Sequence, residues 1–195
     1  MRFSTMMLGS ALTTALFLTG CEATPTTESK AKAQAVAPAE VAKSAQVVEI
    51  FEVHHDGRIN QFYDMATYRS FLDVGETAYR LTRIGGGPKG ETMVFGLTKD
   101  DKKKGENTPA AMLWDGKMQV EGEFYGEMHK HGRIYVFNTM ADMKHVRELG
   151  HPNYMYTEIG MGPKGETVVF VLNKENKKKK PVAQIAKYKA MHGMN

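Results

Sequence analysis

The sequence lacks the residues that nucleophilic catalysis or a disulfide framework would need. Cys21 is the only cysteine in 195 residues, so no disulfide can form within one chain. Only three serines follow it, Ser29, Ser44 and Ser70, and no Ser–His–acid or Cys–His arrangement can be assembled from this inventory. We therefore predict that the protein is not an enzyme.

Residues 1–20 have the composition of a secretion signal. Arg2 supplies one positive charge, and the apolar run Met6–Leu18 is too short to span a bilayer. The run ends in Leu18-Thr19-Gly20-Cys21, which resembles the lipobox of bacterial lipoproteins. The resemblance implies that Cys21 is lipidated and anchors the chain to a membrane. With Glu22 next, it favours the outer membrane of a Gram-negative cell, with the domain facing the periplasm, where nucleic acid is not an expected partner.

An ordinary cleaved signal with an incidental cysteine is the alternative to lipidation. The segment that follows, residues 22–46, is rich in Ala, Thr, Pro, Ser and charge and has almost no large apolar side chains. Such a segment cannot bury enough surface to offset the entropy of ordering it. We predict that residues 21–46 form the lipidated cysteine and a flexible tether.

An internal repeat dominates the rest of the chain. The motif His54-x-x-Gly57-Arg58-Ile59 recurs as His129-x-x-Gly132-Arg133-Ile134, and Gly85–Thr92 recurs as Gly160–Thr167, each 75 residues later. Gene duplication accounts for this register. The predicted division is a first repeat over 47–107, a linker hairpin and second repeat over 108–180, and a C-terminal helix and tail over 181–195.

Each copy is predicted to contain strands, a helix and tight turns in the order β-β-α-β-β. Asp56-Gly57 supplies the positive φ angles of a hairpin turn. Asp64 can cap a helix that Gly75 ends, and Gly87-Pro88-Lys89-Gly90 is a turn between two further strands. Another Asp-Gly pair, Asp115-Gly116, predicts a hairpin in the linker.

These elements define the predicted fold class. It is α+β, with two tandem ββαββ repeats, mainly antiparallel sheets, a pseudo-twofold relation between the copies and a C-terminal helix that starts at Pro181.

Two further motifs allow a ligand-binding interpretation that their context weakens. Gly85–Thr92 lacks the spacing of a phosphate-binding loop, and a strand rather than a helix is predicted after it. The lysine runs Lys102–Lys104 and Lys177–Lys180 each follow the last strand of a copy, where they could attract anionic lipid headgroups or polysaccharide. Nearby acidic residues and a net charge of +4 favour solvated loops instead.

Histidine and methionine are concentrated in the second copy and the C-terminal tail. Imidazole and thioether groups suit copper, especially Cu(I), when thiolate is absent. The candidate metal ligands are Met128, His129, His131, Met140, Met143 and His54. Met191-His192-Gly193-Met194 is a second short cluster. Core packing is the alternative, because Met140, Met143 and Val146 form a stripe at helical spacing.

Gly132-Arg133-Ile134-Tyr135-Val136-Phe137, followed by the predicted helix Met140–Leu149, is similar to a stretch of NosL, a copper-binding lipoprotein associated with nitrous oxide reductase assembly. It also resembles YHS-type small metal domains, in which a Gly-x-x-Tyr-x-Phe hairpin precedes a short helix. The first copy has the same frame in Gly57–Phe62. The resemblance implies an anchored, duplicated α+β module that holds or delivers a metal, with copper as the expected one.

Two functions remain open from the sequence. The first is a membrane-anchored periplasmic lipoprotein that binds or delivers copper, with a metalloprotein as its partner, and the uneven loading of His and Met onto one copy favours it. The second is a non-catalytic docking module that binds a protein or an envelope polymer. The turn Gly-Pro-Lys-Gly-Glu-Thr, kept in both copies, favours the second because it presents two equivalent exposed edges.

Overall fold

A computed structural model describes residues 47–194 of the chain. The predicted signal over 1–20, the predicted lipidation site Cys21 and the predicted tether up to residue 46 lie outside these residues. Among the described residues, no helix is long and apolar enough to cross a membrane. The sheet and the hydrophobic clusters described below lie within residues 47–194, so a chain that begins at residue 21 retains all of the described residues.

The same order of strands and helix occurs twice along the chain. The first series is β1 (Val48–His55), β2 (Arg58–Phe62), α1 (Met65–Val74), β3 (Arg80–Arg83) and β4 (Thr92–Gly96), followed by α2 (Pro109–Trp114). The second series is β5 (Phe124–Lys130), β6 (Arg133–Phe137), α3 (Met140–Leu149), β7 (Tyr154–Glu158) and β8 (Thr167–Leu172), followed by α4 (Val182–Met191). The protein is therefore α+β with a C-terminal helix, as the sequence predicts.

The eight strands form one mixed sheet in the order β3-β4-β2-β1-β5-β6-β8-β7. The four hairpin pairs are antiparallel, whereas β2·β4, β1·β5 and β6·β8 are parallel. Antiparallel pairs are thus the majority, but the strands form one mixed sheet, and the three parallel pairs were not predicted. The tight hairpins are as expected, but α1 and α3 each return the chain so that the second strand of the next hairpin, not the first, joins the existing sheet. The parallel pairing of β1 with β5 then joins both halves into a single sheet.

The linker between the two series is a helix rather than the predicted hairpin. The Thr108 side chain accepts a hydrogen bond from the Ala111 N–H, and Pro109 occupies the first turn of α2. Both features are typical of a helix start. The Asp115-Gly116 pair, which predicts a hairpin turn, instead lies where α2 ends.

Caps and turns bound the other elements where the sequence predicts them. Asp64 accepts a hydrogen bond from the Thr67 N–H at the start of α1, and Gly75 ends that helix with φ +83°. The β1–β2 turn has positive φ at Asp56 and Gly57, and the β5–β6 turn has it at His131 and Gly132. These angles are those of tight hairpins, and they fix the register of both central strand pairs.

The sheet is covered by two helices on each face. On one face, which we call the α2–α3 face, Leu113 of α2 and Met143 of α3 pack against Ile50 of β1. On the opposite α1–α4 face, Tyr68 of α1 and Tyr188 of α4 pack in one buried cluster with other aromatic side chains. Strand side chains alternate between the two faces, so the central strands are buried on both sides.

Candidate functional site

Two buried glutamates occupy equivalent positions on the two central strands. Glu52 of β1 and Glu127 of β5 lie 75 residues apart, and both are 0% exposed. Glu52 lies on the α2–α3 face, two residues from Ile50, and Glu127 lies on the α1–α4 face, two residues from Tyr125. A carboxylate removed from water needs charged or hydrogen-bonding partners. Each face of the sheet therefore buries one glutamate side chain that needs such partners.

Glu52 is held by a charged partner from α3 and by a histidine of its own strand. Arg147 Nε donates to Glu52 Oε1 at 3.0 Å, and its Nη2 donates to the same oxygen. His54 Nε2 lies 2.9 Å from Glu52 Oε2. Burial by itself raises the pKa of Glu52, but Arg147 and His54 outweigh burial and lower this pKa from 4.5 to about 2. The pair is ionised at neutral pH.

Trp114, the last residue of α2, covers the Arg147 guanidinium. The guanidinium carbon lies 4.4 Å from the centroid of the indole ring, and Phe95 packs edge-on against the same ring at 6.3 Å. A flat guanidinium over an aromatic face is stabilised by cation–π attraction. The buried Glu52 thus fixes Arg147, and Arg147 in turn fixes one side of the only tryptophan.

A groove of about 590 Å³ opens beside this stack, between α2 and α3. We call it the α2–α3 groove. Its α3 wall is formed by Met140, Lys144, Arg147 and Glu148, and its other wall by residues 113–120. Gly86–Pro88 of the first Gly-Pro-Lys-Gly turn also lines it. A volume of this size is within the range of ligand sites in proteins.

Gln61 of β2 lies in the lining of the groove and is 1% exposed. Its side-chain oxygen is buried and has no hydrogen-bond partner among residues 47–194. An unpaired buried amide oxygen costs free energy that a bound donor would recover. The lining of the groove therefore includes a buried polar atom that has no partner among the described residues.

The charged groups around the groove are already paired within the protein. Arg147 is paired with Glu52, and Lys144 lies 3.9 Å from Glu148. Asp115 accepts from Arg83 at 2.6 Å and from Lys117 at 2.9 Å, and these hydrogen bonds lower the pKa of Asp115. The groove therefore has no uncompensated charge that would select a strongly charged ligand.

Glu127 accepts hydrogen bonds from tyrosine hydroxyls, whereas Glu52 is paired with the Arg147 guanidinium. Tyr68 of α1 donates to Glu127 Oε2 at 3.0 Å, and Tyr125 donates to Glu127 Oε1. His192, just after α4, places Nε2 2.8 Å from Oε1. Burial and the charge of Glu127 raise the pKa of Tyr68, Tyr125 and, more weakly, Tyr188. Tyr68 and Tyr125 stay protonated and donate to Glu127, whereas the buried Tyr188 hydroxyl has no hydrogen-bond partner among the described residues.

The predicted metal ligands are divided between the two faces of the sheet. Met128 and Met143 are fully buried in the core of the α2–α3 face, and Met140 packs against them. His129 follows Met128 on the strand and therefore lies on the opposite face, where its ring is 5.8 Å from that of Tyr68. His131 is exposed in the β5–β6 turn.

The remaining predicted ligand, His54, is bound to Glu52. Met128 and His129 lie on opposite faces of the sheet, so they cannot bind one metal ion together. Within the described chain, no group of three or more His, Cys, Asp or Glu side chains could hold a metal ion.

Reasoning from the sequence assigned no role to Glu52, Glu127, Arg147 or Gln61. A glutamate in a strand ordinarily lies at the surface, and nothing local shows that these two are buried. One signal was present: Glu-x-His occurs at 52–54 and again at 127–129, in the same register as the repeat.

No family model, curated protein or solved structure matches the chain.

Proposed function

We propose that this chain is a non-catalytic docking protein that holds an extended, uncharged peptide segment of a partner protein in the α2–α3 groove. The observation that carries the proposal is the buried Gln61 oxygen, which has no partner within residues 47–194. A peptide N–H is a donor that could satisfy it.

The wall opposite α3 favours a peptide over a compact small molecule. Gln119 and Val120 of this wall belong to neither a helix nor a strand, and no backbone–backbone hydrogen bond joins them to another described residue. An extended peptide lying along such a segment can pair with its free N–H and C=O groups. Leu113, Met118 and Met140 offer apolar surface for the side chains of the same peptide.

Selection from a library of random heptapeptides tests this proposal. The target is the chain from residue 21 with Cys21→Ser, and binding of the selected peptides is followed by the fluorescence of Trp114, the only tryptophan. We expect uncharged peptides with apolar residues, and we expect Gln61→Leu to weaken them about tenfold or more because the amide partner is lost.

Gln184→Leu is the matched control for this experiment. Gln184 is also buried, and its side-chain oxygen also lacks a partner within the described range, but it lies away from the groove and donates to the Val136 carbonyl. Its substitution should leave peptide affinity unchanged. A selection that enriches no peptide, or peptides that bind Gln61→Leu as tightly as the unaltered chain, would contradict the proposal.

Copper binding is a second proposal, and the His129 side chain favours it. His129 Nε2 is buried with no partner among the described residues, and burial lowers the pKa of this imidazole, which keeps it neutral and able to bind a metal. Met161, Met191 and Met194 pack against the cluster on the same α1–α4 face. These three methionines differ from the predicted ligands Met128, Met140 and Met143, which lie on the α2–α3 face.

A Cu(I) titration against a competing chelator under reducing conditions tests the copper proposal. We expect stoichiometric binding that His129→Phe weakens about tenfold or more, since the loss of one ligand removes a coordinate bond. Met128→Leu, in the core of the opposite face, should have no effect. Absence of any competition with a weak chelator would rule out a copper carrier.

We also propose that the chain is a lipoprotein anchored through Cys21 to the periplasmic side of the outer membrane. The lipobox-like Leu18-Thr19-Gly20-Cys21 supports this, and so does the absence of any other cysteine. A tether of residues 22–46 would let the folded unit reach a partner in the envelope.

The two halves are proposed to be duplicated ββαββ units related by a pseudo-twofold axis along the strands. The palindromic strand order supports this, because the position of each strand in one half mirrors that of its counterpart in the other. The parallel pairing of β1 with β5 and the placement of Glu52 and Glu127 on opposite faces support it as well.

A further inference from the structure

The register of the sheet brings three separate features to one of its ends. We call this the proximal end, where β1 begins at Val48 and where β4 and β8 finish. Val47, the first described residue, therefore lies here, and the lysine-rich segments 99–104 and 174–180, which follow β4 and β8, start here. We call these two segments the basic corners. The sequence alone could not show that they flank Val47.

Each basic corner carries more positive than negative charge. Residues 99–104 contain four lysines and two aspartates, and residues 174–180 contain five lysines and one glutamate. The lysines of both corners are exposed. Lys104 is paired with Asp101 at 2.7 Å and Lys180 lies 3.5 Å from Glu158, while the other lysines make no ion pair with a described acidic residue. The positive excess is therefore available to an anionic surface.

The middle of the proximal end is less favourable to anions. Glu121 and Glu123 are exposed there, and Glu123 Oε2 lies 3.3 Å from Lys187 Nζ. An anionic surface that touches this end would therefore be held at its two corners rather than across its whole width.

A lysine–tyrosine pair occurs at the same position in both corners. Lys102 Nζ lies 4.9 Å from the ring centroid of Tyr79, and Lys177 Nζ lies 4.4 Å from that of Tyr154. The two lysines are 75 residues apart, and so are the two tyrosines, which immediately precede β3 and begin β7. Tyr and Lys side chains with an apolar body and a polar tip are suited to the boundary between lipid headgroups and water. The two corners therefore present the same lysine–tyrosine pair.

We propose that the two basic corners bind the anionic headgroups of a phospholipid bilayer and seat the proximal end of the domain on the membrane. The inference is independent of the peptide groove. We propose a lipid surface as the partner of the corners, because Val47 lies between them and the predicted anchor, Cys21, precedes Val47 in the chain. Lysines near an anionic leaflet are attracted to its surface potential.

Vesicle flotation tests the proposal with the chain from residue 21 carrying Cys21→Ser, so that no lipid anchor contributes. We expect binding to vesicles of phosphatidylglycerol and phosphatidylcholine, weakening as salt is raised, and no binding to phosphatidylcholine alone. Changing Lys102, Lys103, Lys177 and Lys178 to Gln should reduce binding to the mixed vesicles about tenfold or more.

A second variant that loses the same number of positive charges shows whether the basic corners bind the vesicles or whether the overall positive charge of the protein is sufficient. It carries Arg58→Gln, Lys89→Gln, Arg133→Gln and Lys164→Gln, at the opposite end of the sheet. We expect it to bind the mixed vesicles like the unaltered chain. Equal losses in both variants would overturn the proposal, as would failure of the unaltered chain to float. Binding to dextran sulfate without binding to vesicles would show that the corners serve a polysaccharide instead.

Discussion

Replacing Arg147 with Met is expected to lower the free energy of unfolding by about 3–5 kcal/mol, because it leaves the buried Glu52 carboxylate without its cation. His54 alone would remain beside that carboxylate, at 2.9 Å. The indole ring of Trp114 would also lose the guanidinium that lies 4.4 Å from its centroid. Urea unfolding followed by circular dichroism measures the change without relying on the fluorescence of Trp114.

Two matched variants show whether the buried charge is the cause. Lys144→Met removes a cation from the same helix, but its pairing with Glu148 is exposed and should be worth no more than about 1 kcal/mol. The double variant Glu52→Leu/Arg147→Met removes both charges, and we expect it to be more stable than Arg147→Met alone. A double variant as unstable as the single one would mean that lost packing, rather than an unpaired carboxylate, explains the effect.

The same ion pair predicts how stability changes in acid. Glu52 takes up a proton near pH 2 in the folded protein and near pH 4.5 in the unfolded chain, so the unfolded chain binds more protons between these values. The free energy of unfolding should therefore fall as the pH is lowered from about 4.5 towards 2. Arg147→Met should flatten this part of the curve, since the cation that lowers the pKa is gone.

Replacing Tyr68 with Ala is expected to lower the free energy of unfolding by about 3–5 kcal/mol. Tyr68 is the only fully buried residue of α1, and its ring stacks on Phe51 with the centroids 4.5 Å apart. Its hydroxyl also donates to Glu127. Tyr68→Phe keeps the ring and removes only that donor, so it should cost about 1–3 kcal/mol.

Tyr156→Phe is the matched control for the two Tyr68 variants. The Tyr156 hydroxyl donates to Glu158 at 2.9 Å in a half-buried setting, so its loss should cost less than that of the fully buried bond. If Tyr68→Phe were as mild as Tyr156→Phe, the remaining donors Tyr125 and His192 would be sufficient for Glu127. If it were as severe as Tyr68→Ala, the hydroxyl rather than the ring would hold α1 on the sheet.

Local chemistry accounts for the parts of the fold that could be predicted. Asp56-Gly57 and its counterpart His131-Gly132 mark hairpins because few residue pairs tolerate two successive positive φ angles. The α1 caps at Asp64 and Gly75 follow from hydrogen bonding at helix ends. Each of these signals resides in a few neighbouring residues.

The sequence contains no comparable signal for the pairing of strands that lie far apart in the chain, such as β1 and β5. Both faces of β1 and β5 are buried, so their side chains do not alternate clearly between polar and apolar, and nothing in them specifies a parallel neighbour. The candidate site was missed for the same reason. Gln61 and Arg147 lie far apart in sequence and line one groove only because β1 unites the two halves.

The exchange of contacts between the two halves has a consequence for how the chain unfolds. Arg147 of the second half binds Glu52 of the first, while Tyr68 of the first half binds Glu127 of the second. Residues 47–96 therefore contain a buried carboxylate and an aromatic cluster with partners in the second half of the chain. Each buried glutamate has a partner from the other half, so we expect the two halves to unfold together in one cooperative transition rather than one after the other.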